Sequence, residues 1–144
     1  MHHRGWFLKQ TPNWVLIRNW MCSVIMTTLG ILLLTGPYTF QNSETLYELA
    51  KTAIAKGYEV KVFLFVDAVM NANLNQDVEP EVPMNVRFQE LADLGVQIQA
   101  CGLCTTARGF DQLGADFIDG VEVTGLTQLA EIVGQADRFV TLGL

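Results

Sequence analysis

Two thiols three residues apart, Cys101 and Cys104, stand where an alternating apolar pattern gives way to a short helical one in the run from Val96 to Gly109. A cysteine at or just before a helix N-terminus faces unpaired backbone N–H groups and the positive end of the macrodipole. Both stabilise the thiolate and lower its pKa from about 8.5. This placement predicts an exposed, anionic sulfur at Cys101, poised over the helix that follows. Gly102 permits a tight turn that leaves that sulfur open, and Cys104, in the first helical turn, can reach it to form or resolve a disulfide.

A Cys-x-x-Cys pair serves dithiol redox chemistry, supplies half of a zinc site, or provides a nucleophilic thiol with a second thiol nearby. Two small buried residues packing a strand–helix joint are the purely structural alternative. Zinc needs about four ligands, and the other soft donors, Cys22, His2 and His3, all precede residue 26. No metal is therefore expected. With both histidines in the first three residues, neither a Cys-His nor a Ser-His-Asp arrangement can be assembled from the rest of the chain. Neither a phosphate-loop lysine motif nor a G-x-G-x-x-G motif is present, so no cofactor is expected. A thioredoxin-like oxidoreductase carries its pair after the first strand, commonly with proline between the thiols; here the pair comes late and the spacer is Gly-Leu. Arg108 lies one helical turn after Cys104, where it either binds an anionic sulfur species or is a solvated helix-end charge. Thr105 and Thr106 can donate hydrogen bonds to a bound anion, and Asp67 reads as a polar pocket group or a loop cap.

The elements that must position these groups alternate between short apolar runs and helical periodicity. That alternation predicts an α/β fold with a mostly parallel five-stranded sheet covered by helices on both faces. A first strand spans about residues 29–35 and ends at Gly36-Pro37. Ser43 then caps a helix that places Leu46, Leu49, Ala50, Ala53 and Ile54 on one face. After Gly57 a strand runs from Glu59 to Val66, and a long Asn- and acid-rich connection from Asp67 to Met84 holds one short helical piece around Ala68 to Ala72. A helix from Asn85 to Leu94 buries Phe88, Leu91 and Ala92. Val96, Ile98 and Ala100 then alternate along the strand that delivers Cys101. A two-turn helix from Leu103 to Arg108, a short strand at Val121–Val123, a helix over 125–135 with Leu126, Leu129, Ala130 and Val133 on its buried face, and a closing strand Arg138–Leu142 complete the order. In an open parallel sheet, functional groups gather beyond the carboxyl ends of the strands. Gly36 to Asn42 and Asp67 should therefore line the cavity around the thiol.

The chain has 144 residues and a net charge of −6, enough for one domain with a sizeable core. Residues 1–25 hold three of the nine basic residues and none of the fifteen acids, so the remainder carries −9. Such a surface repels phosphate backbones, which excludes direct nucleic-acid binding. Three unevenly spaced cysteines fit a reducing cytosol rather than a secreted disulfide scaffold, and a cytoplasmic location is expected. An apolar run from Trp20 to Leu34 follows the basic start, but no small-x-small cleavage site follows it, and its second half reads as the first strand. Residues 1–25 are read as an N-terminal extension or a mis-assigned start, with Met26 or Met21 as the natural first residue and no membrane segment. Residues 26–144 form the α/β domain.

The joint pattern from Ile31 to Leu34, through Gly120 to Gly125, to Ala136 to Val140, with Cys101 followed eight residues later by the glycine of Arg108-Gly109, resembles the DsrE/DsrF-like family, including its TusD-type sulfur-relay members. The resemblance covers about residues 28–144. It implies a flavodoxin-like three-layer sheet, assembly into homotrimers or homohexamers, and a cysteine that accepts sulfane sulfur as a persulfide. By position Cys101 is the acceptor and Cys104 the auxiliary or resolving thiol. The implied partners are sulfur donor and acceptor proteins or small persulfides. A Cys-x-x-Cys dithiol redox protein and a non-catalytic oligomeric binding module are the alternatives.

Overall fold

The computed structural model describes residues 26–144. The expectations for residues 1–25, including Cys22, His2 and His3, lie outside the described residues. The chain runs β1 (Thr28–Leu33), α1 (Asn42–Ala55), β2 (Glu59–Leu64), a 3-10 segment (Val66–Ala72), α2 (Met84–Asp93), β3 (Gln97–Cys101), α3 (Gly102–Ala107), β4 (Val121–Thr124), α4 (Leu126–Gln135) and β5 (Arg138–Leu142). All four strand pairings are parallel, in the order β4-β3-β2-β1-β5. From β1 the chain steps outward to β4, and α4 carries it back to β5 on the other side of β1. Because parallel crossovers are right-handed, the outward steps put their helices on one face of the sheet and the return step puts α4 on the other. This is the expected α/β plan, with its direction of travel reversing beside β1.

The strand pattern explains the core. Side chains alternate between faces, and Leu29, Ile31 and Leu33 of β1, Val60, Val62 and Leu64 of β2, and Ile98 and Ala100 of β3 are all buried. Leu46 and Ala50 of α1 and Phe88 and Leu91 of α2 are buried in the same cluster. Gly57 and Gly95 end α1 and α2 with φ of 83° and 97°, and a side chain there would meet nothing, so backbone conformation alone favours glycine. The short helical piece in the long connection is the 3-10 segment. Gln76 ties its end down, donating through Nε2 to the carbonyls of Met70, Asn71 and Asn73.

Two expectations fail. Ser43 does not cap α1: the cap position is Gln41, and Ser43 lies buried within the first turn with its hydroxyl unpartnered. The buried face of α4 is also different, since Ile132 is its buried residue and Leu129 is half-buried, while Ala130 is exposed and Leu126 and Val133 are 56% and 50% exposed. Within α4, Ile132 faces Gly30 of β1, where a Cβ would lie 3.0 Å from it, and Leu129 packs against the edge of the core; the remaining apolar positions point away from this chain's own sheet. Among the described residues no helix is long and apolar enough to cross a membrane.

Candidate functional site

Strand β3 pairs Ala100 with Leu64 on one side and Cys101 with Thr124 on the other, so the first thiol emerges at the carboxyl edge of the sheet. Cys101 is the last residue of β3 and the cap position of α3, in extended conformation and making no side-chain capping bond. Gly102 follows because nothing larger fits easily: a Cβ there would lie 3.3 Å from the Thr124 carbonyl oxygen and 3.4 Å from Val123 Cγ1. The glycine thus draws the start of α3 against β4 in the tight turn that the sequence suggests, although the Cys101 sulfur is not left open by it.

Both sulfurs are consequently enclosed. Cys101 is 3% exposed and Cys104 8%, and both are free thiols. The exposed sulfur expected at Cys101 is not what the folded chain presents. Burial pushes the Cys104 thiol up from its ordinary value, and its hydrogen bond with Cys101 pushes it further; the Val66 N–H and the Arg108 charge oppose that rise. Thr105 and Thr106 donate back into the turn, from Oγ1 to the carbonyls of Cys101 at 2.8 Å and Gly102 at 3.0 Å, and so are not aimed at an anion.

Sequence reasoning missed Val66. Its φ is 55°, a conformation that a β-branched residue adopts only under constraint, at a cost of about 1–3 kcal/mol. That twist at the end of β2 aims the Val66 backbone N–H at Cys104 Sγ, 3.3 Å away. No sequence signal marks it, since valine at this place reads as an ordinary strand residue.

Asp67 and Arg108, singled out separately in the sequence, are brought together. Arg108 Nε donates to Asp67 Oδ1 at 2.9 Å, with Nη2 on the same oxygen, while Nη1 donates to the Cys104 carbonyl at 3.1 Å. The pair clasps the Val66 turn onto α3, leaving Arg108 engaged rather than free to hold an anion. On the other side of the turn lies a groove of about 320 Å³, lined by Thr35, Gly36, Phe40, Val66, Asp67 and Met70 among others. The loops after β1 and β2 open on one edge as expected, but neither cysteine is among the residues lining the groove between them, with Val66 standing between it and Cys104. Among the described residues no group of three or more His, Cys, Asp or Glu side chains is placed to hold a metal ion.

Comparison with known proteins gives this arrangement its relatives. The chain is 32% identical to the TusD sulfurtransferase of Erwinia tasmaniensis, over 76% of this chain and 95% of that protein. It is also 32% identical to the DsrE protein of Allochromatium vinosum, over 75% of this chain and 92% of that one. The crystal structure of YchN from Escherichia coli superposes with a TM-score of 0.68 at 26% identity, covering 81% of this chain and 99% of that one. The family model for DsrE/DsrF-like proteins matches residues 28–142, essentially the whole sheet and its helices, and the chain belongs to the DsrE/DsrF-like family.

Proposed function

We propose that this protein is a sulfur-relay protein that carries sulfane sulfur as a persulfide on Cys101 and passes it to an acceptor thiol. The observation that carries the reading is the placing of two thiols at the carboxyl edge, Cys101 ending β3 and Cys104 in the first turn of α3, where Cys104 accepts the Val66 N–H. Burial holds the Cys104 thiol above its ordinary value against the opposing Val66 N–H. On this reading Cys101 is the nucleophile and Cys104 the auxiliary thiol. In loading, the Cys101 thiolate attacks the outer sulfur of a donor persulfide RS–SH. The new bond is Cys101 S–S, the RS–S bond breaks, and RS⁻ leaves and takes a proton from water. In delivery, an acceptor thiolate attacks the outer sulfur and Cys101 leaves as thiolate. No net oxidation occurs. Since both sulfurs are buried, each step requires a local opening at the carboxyl edge.

The donors and acceptors on this reading are proteins or small persulfides, and the relatives' names support a relay between partners. Assembly into homotrimers or homohexamers belongs to the same reading. It is supported by large apolar side chains left outside the single-chain core, including Leu103 at 81% exposed and Leu113 at 93%. The Cys-x-x-Cys spacing at that edge also favours a second reading, a dithiol redox protein.

Intact-mass measurement after polysulfide treatment separates the two. Cys101→Ser should lose the added sulfur mass and Cys104→Ser should keep it, at a reduced rate. Equal loading of Cys101→Ser overturns the persulfide reading. A reversible Cys101–Cys104 disulfide that cycles with thioredoxin, with both residues required, favours the redox one.

A further inference from the structure

The Val66 turn has the features of a movable cover over the buried thiols. β2 and β3 leave the sheet side by side, since Leu64 pairs with Ala100, and the chain continues into Phe65-Val66 on one side and Cys101 on the other. Val66 lies against α3 with its backbone N–H on Cys104 Sγ at 3.3 Å. Its φ of 55° is a conformation that a β-branched side chain resists, so the turn carries a drive back toward the extended region.

Arg108 holds the turn against that drive. Its Nε donates to Asp67 Oδ1 at 2.9 Å, with Nη2 on the same oxygen, and its Nη1 donates to the Cys104 carbonyl at 3.1 Å. Arg108 thus joins the turn to the backbone of the residue whose sulfur the turn covers. The pair lies at the surface, with 59% of the Asp67 side chain exposed, and an ion pair open to solvent is weak enough to exchange. On the side away from the thiols, Val66 and Asp67 line the groove of about 320 Å³, which gives the turn room to move. The other wall is built differently. At the seam with β4 a Cβ on Gly102 would lie 3.3 Å from the Thr124 carbonyl oxygen, and Thr124 is itself paired with Cys101 in the sheet.

We propose that the Val66-Asp67 turn is a gate to Cys101 and Cys104, with the strained Val66 backbone as its spring and the Asp67–Arg108 pair as its latch. In the closed state the Val66 N–H rests on Cys104 Sγ and both sulfurs are enclosed. In the open state Val66 takes extended dihedral angles, the turn moves into the groove, and the sulfurs meet the donor. Asp67 and Arg108 are positioning residues on this account, acting on sulfur transfer through the turn. A donor opens the gate by binding the open state more tightly than the closed one. The proposal deepens the persulfide reading and rests on it for the consequence of opening.

The test separates access from sulfur transfer. Iodoacetamide alkylates an exposed thiol and transfers no sulfur, and its labelling of the peptide that carries Cys101 and Cys104 is followed by mass in the full chain. When opening is fast relative to alkylation, the rate follows the open fraction. Asp67→Ala removes the latch and should raise the rate about fivefold. Asparagine tolerates the left-handed region, so Val66→Asn relaxes the spring in the closed state and should lower the rate about fivefold. The opposite signs are decisive, because a substitution that merely loosens the fold accelerates labelling. Hydrogen exchange at the Phe88 amide should be the same in all three proteins, as a local opening requires. Labelling unchanged by both substitutions, accelerated by both, or rising in step with exchange at Phe88 overturns the gate. Cys101-dependent loading from polysulfide, read by intact mass, is then compared in the same proteins and should follow the labelling order. Labelling in that order without Cys101-dependent loading in any of them overturns the persulfide reading and leaves the gate standing. Loading at one rate in all of them, with labelling in the expected order, overturns the gate as the route for sulfur.

Discussion

The two faces of the sheet are built from the same strands yet are finished differently. Toward α1 and α2 the strands present Leu, Ile, Val and Ala that are almost wholly excluded from water. On the other face α4 covers β1 closely, while Lys61, Gln97 and Gln99 line a polar recess beside the helix. Three successive crossovers in one direction followed by a single return produce this inequality. Phe63 apart, which is fully buried on the second face, burial is concentrated on the first, so substitutions of similar size should differ sharply in effect between buried positions of the first face and the polar recess of the second.

The largest contrast pairs Phe88 with Gln97. Phe88 is fully buried under the first face, and Phe88→Ala should lower unfolding free energy by about 3–5 kcal/mol. Gln97 is exposed, and its side chain donates only to Glu59 Oε1, at 3.0 Å. Gln97→Ala should stay within about 0.5 kcal/mol of wild type. Urea unfolding of the two variants checks both; similar midpoints would remove the distinction between the faces.

Gly30 sharpens the comparison, because it lies where the open face is closed. Its missing side chain admits Phe139, Ile132 and Ala136. Gly30→Val should cost about 1–3 kcal/mol by overpacking, with the loss of order concentrated in α4 and β5. Hydrogen exchange reads this directly: protection should fall along 126–142 and persist at Phe88. A uniform loss would mean that α4 is as integral to the core as α2.

The sequence foresaw the first face better than the second, for a physical reason. Alternation at Val96, Ile98 and Ala100 survives because both neighbours of a central strand are themselves fixed by the same pattern, and β5 occupies the expected Arg138–Leu142. The orientation of α4 was not legible. An amphipathic helix states that it has an apolar side, but how much of that side is covered depends on where the helix lands over the sheet. The candidate site divides in the same way. Cys101, Cys104, Asp67 and Arg108 were visible as residue types at strand ends, and the fold brings all four to one edge. Their states were not visible: enclosure of the sulfurs follows from Gly102 packing on β4, the engagement of Arg108 follows from where the β2 loop lands, and the left-handed Val66 contradicts the preference of its own side chain.

The smallest predicted effect concerns the outer surface of the well-packed face, where α1 and α2 exchange charges. Lys51 Nζ lies 2.8 Å from Glu90 Oε1, and Tyr47 donates its hydroxyl proton to Oε2 of the same carboxylate. Lys51 first, then the Tyr47 hydrogen bond, hold the Glu90 carboxyl below its ordinary value of 4.5. A carboxyl with a lower pKa folded than unfolded contributes stability above the unfolded value, and the contribution disappears as pH falls through the folded one. Glu90→Gln should therefore slightly flatten the acid limb of the stability profile below about pH 4.5. The effect should shrink further in added salt, because the groups are open to solvent and screened. An acid limb unchanged by the substitution would show that the two helices are held by the apolar contacts beneath this cluster, making the contrast between the faces one of packing alone.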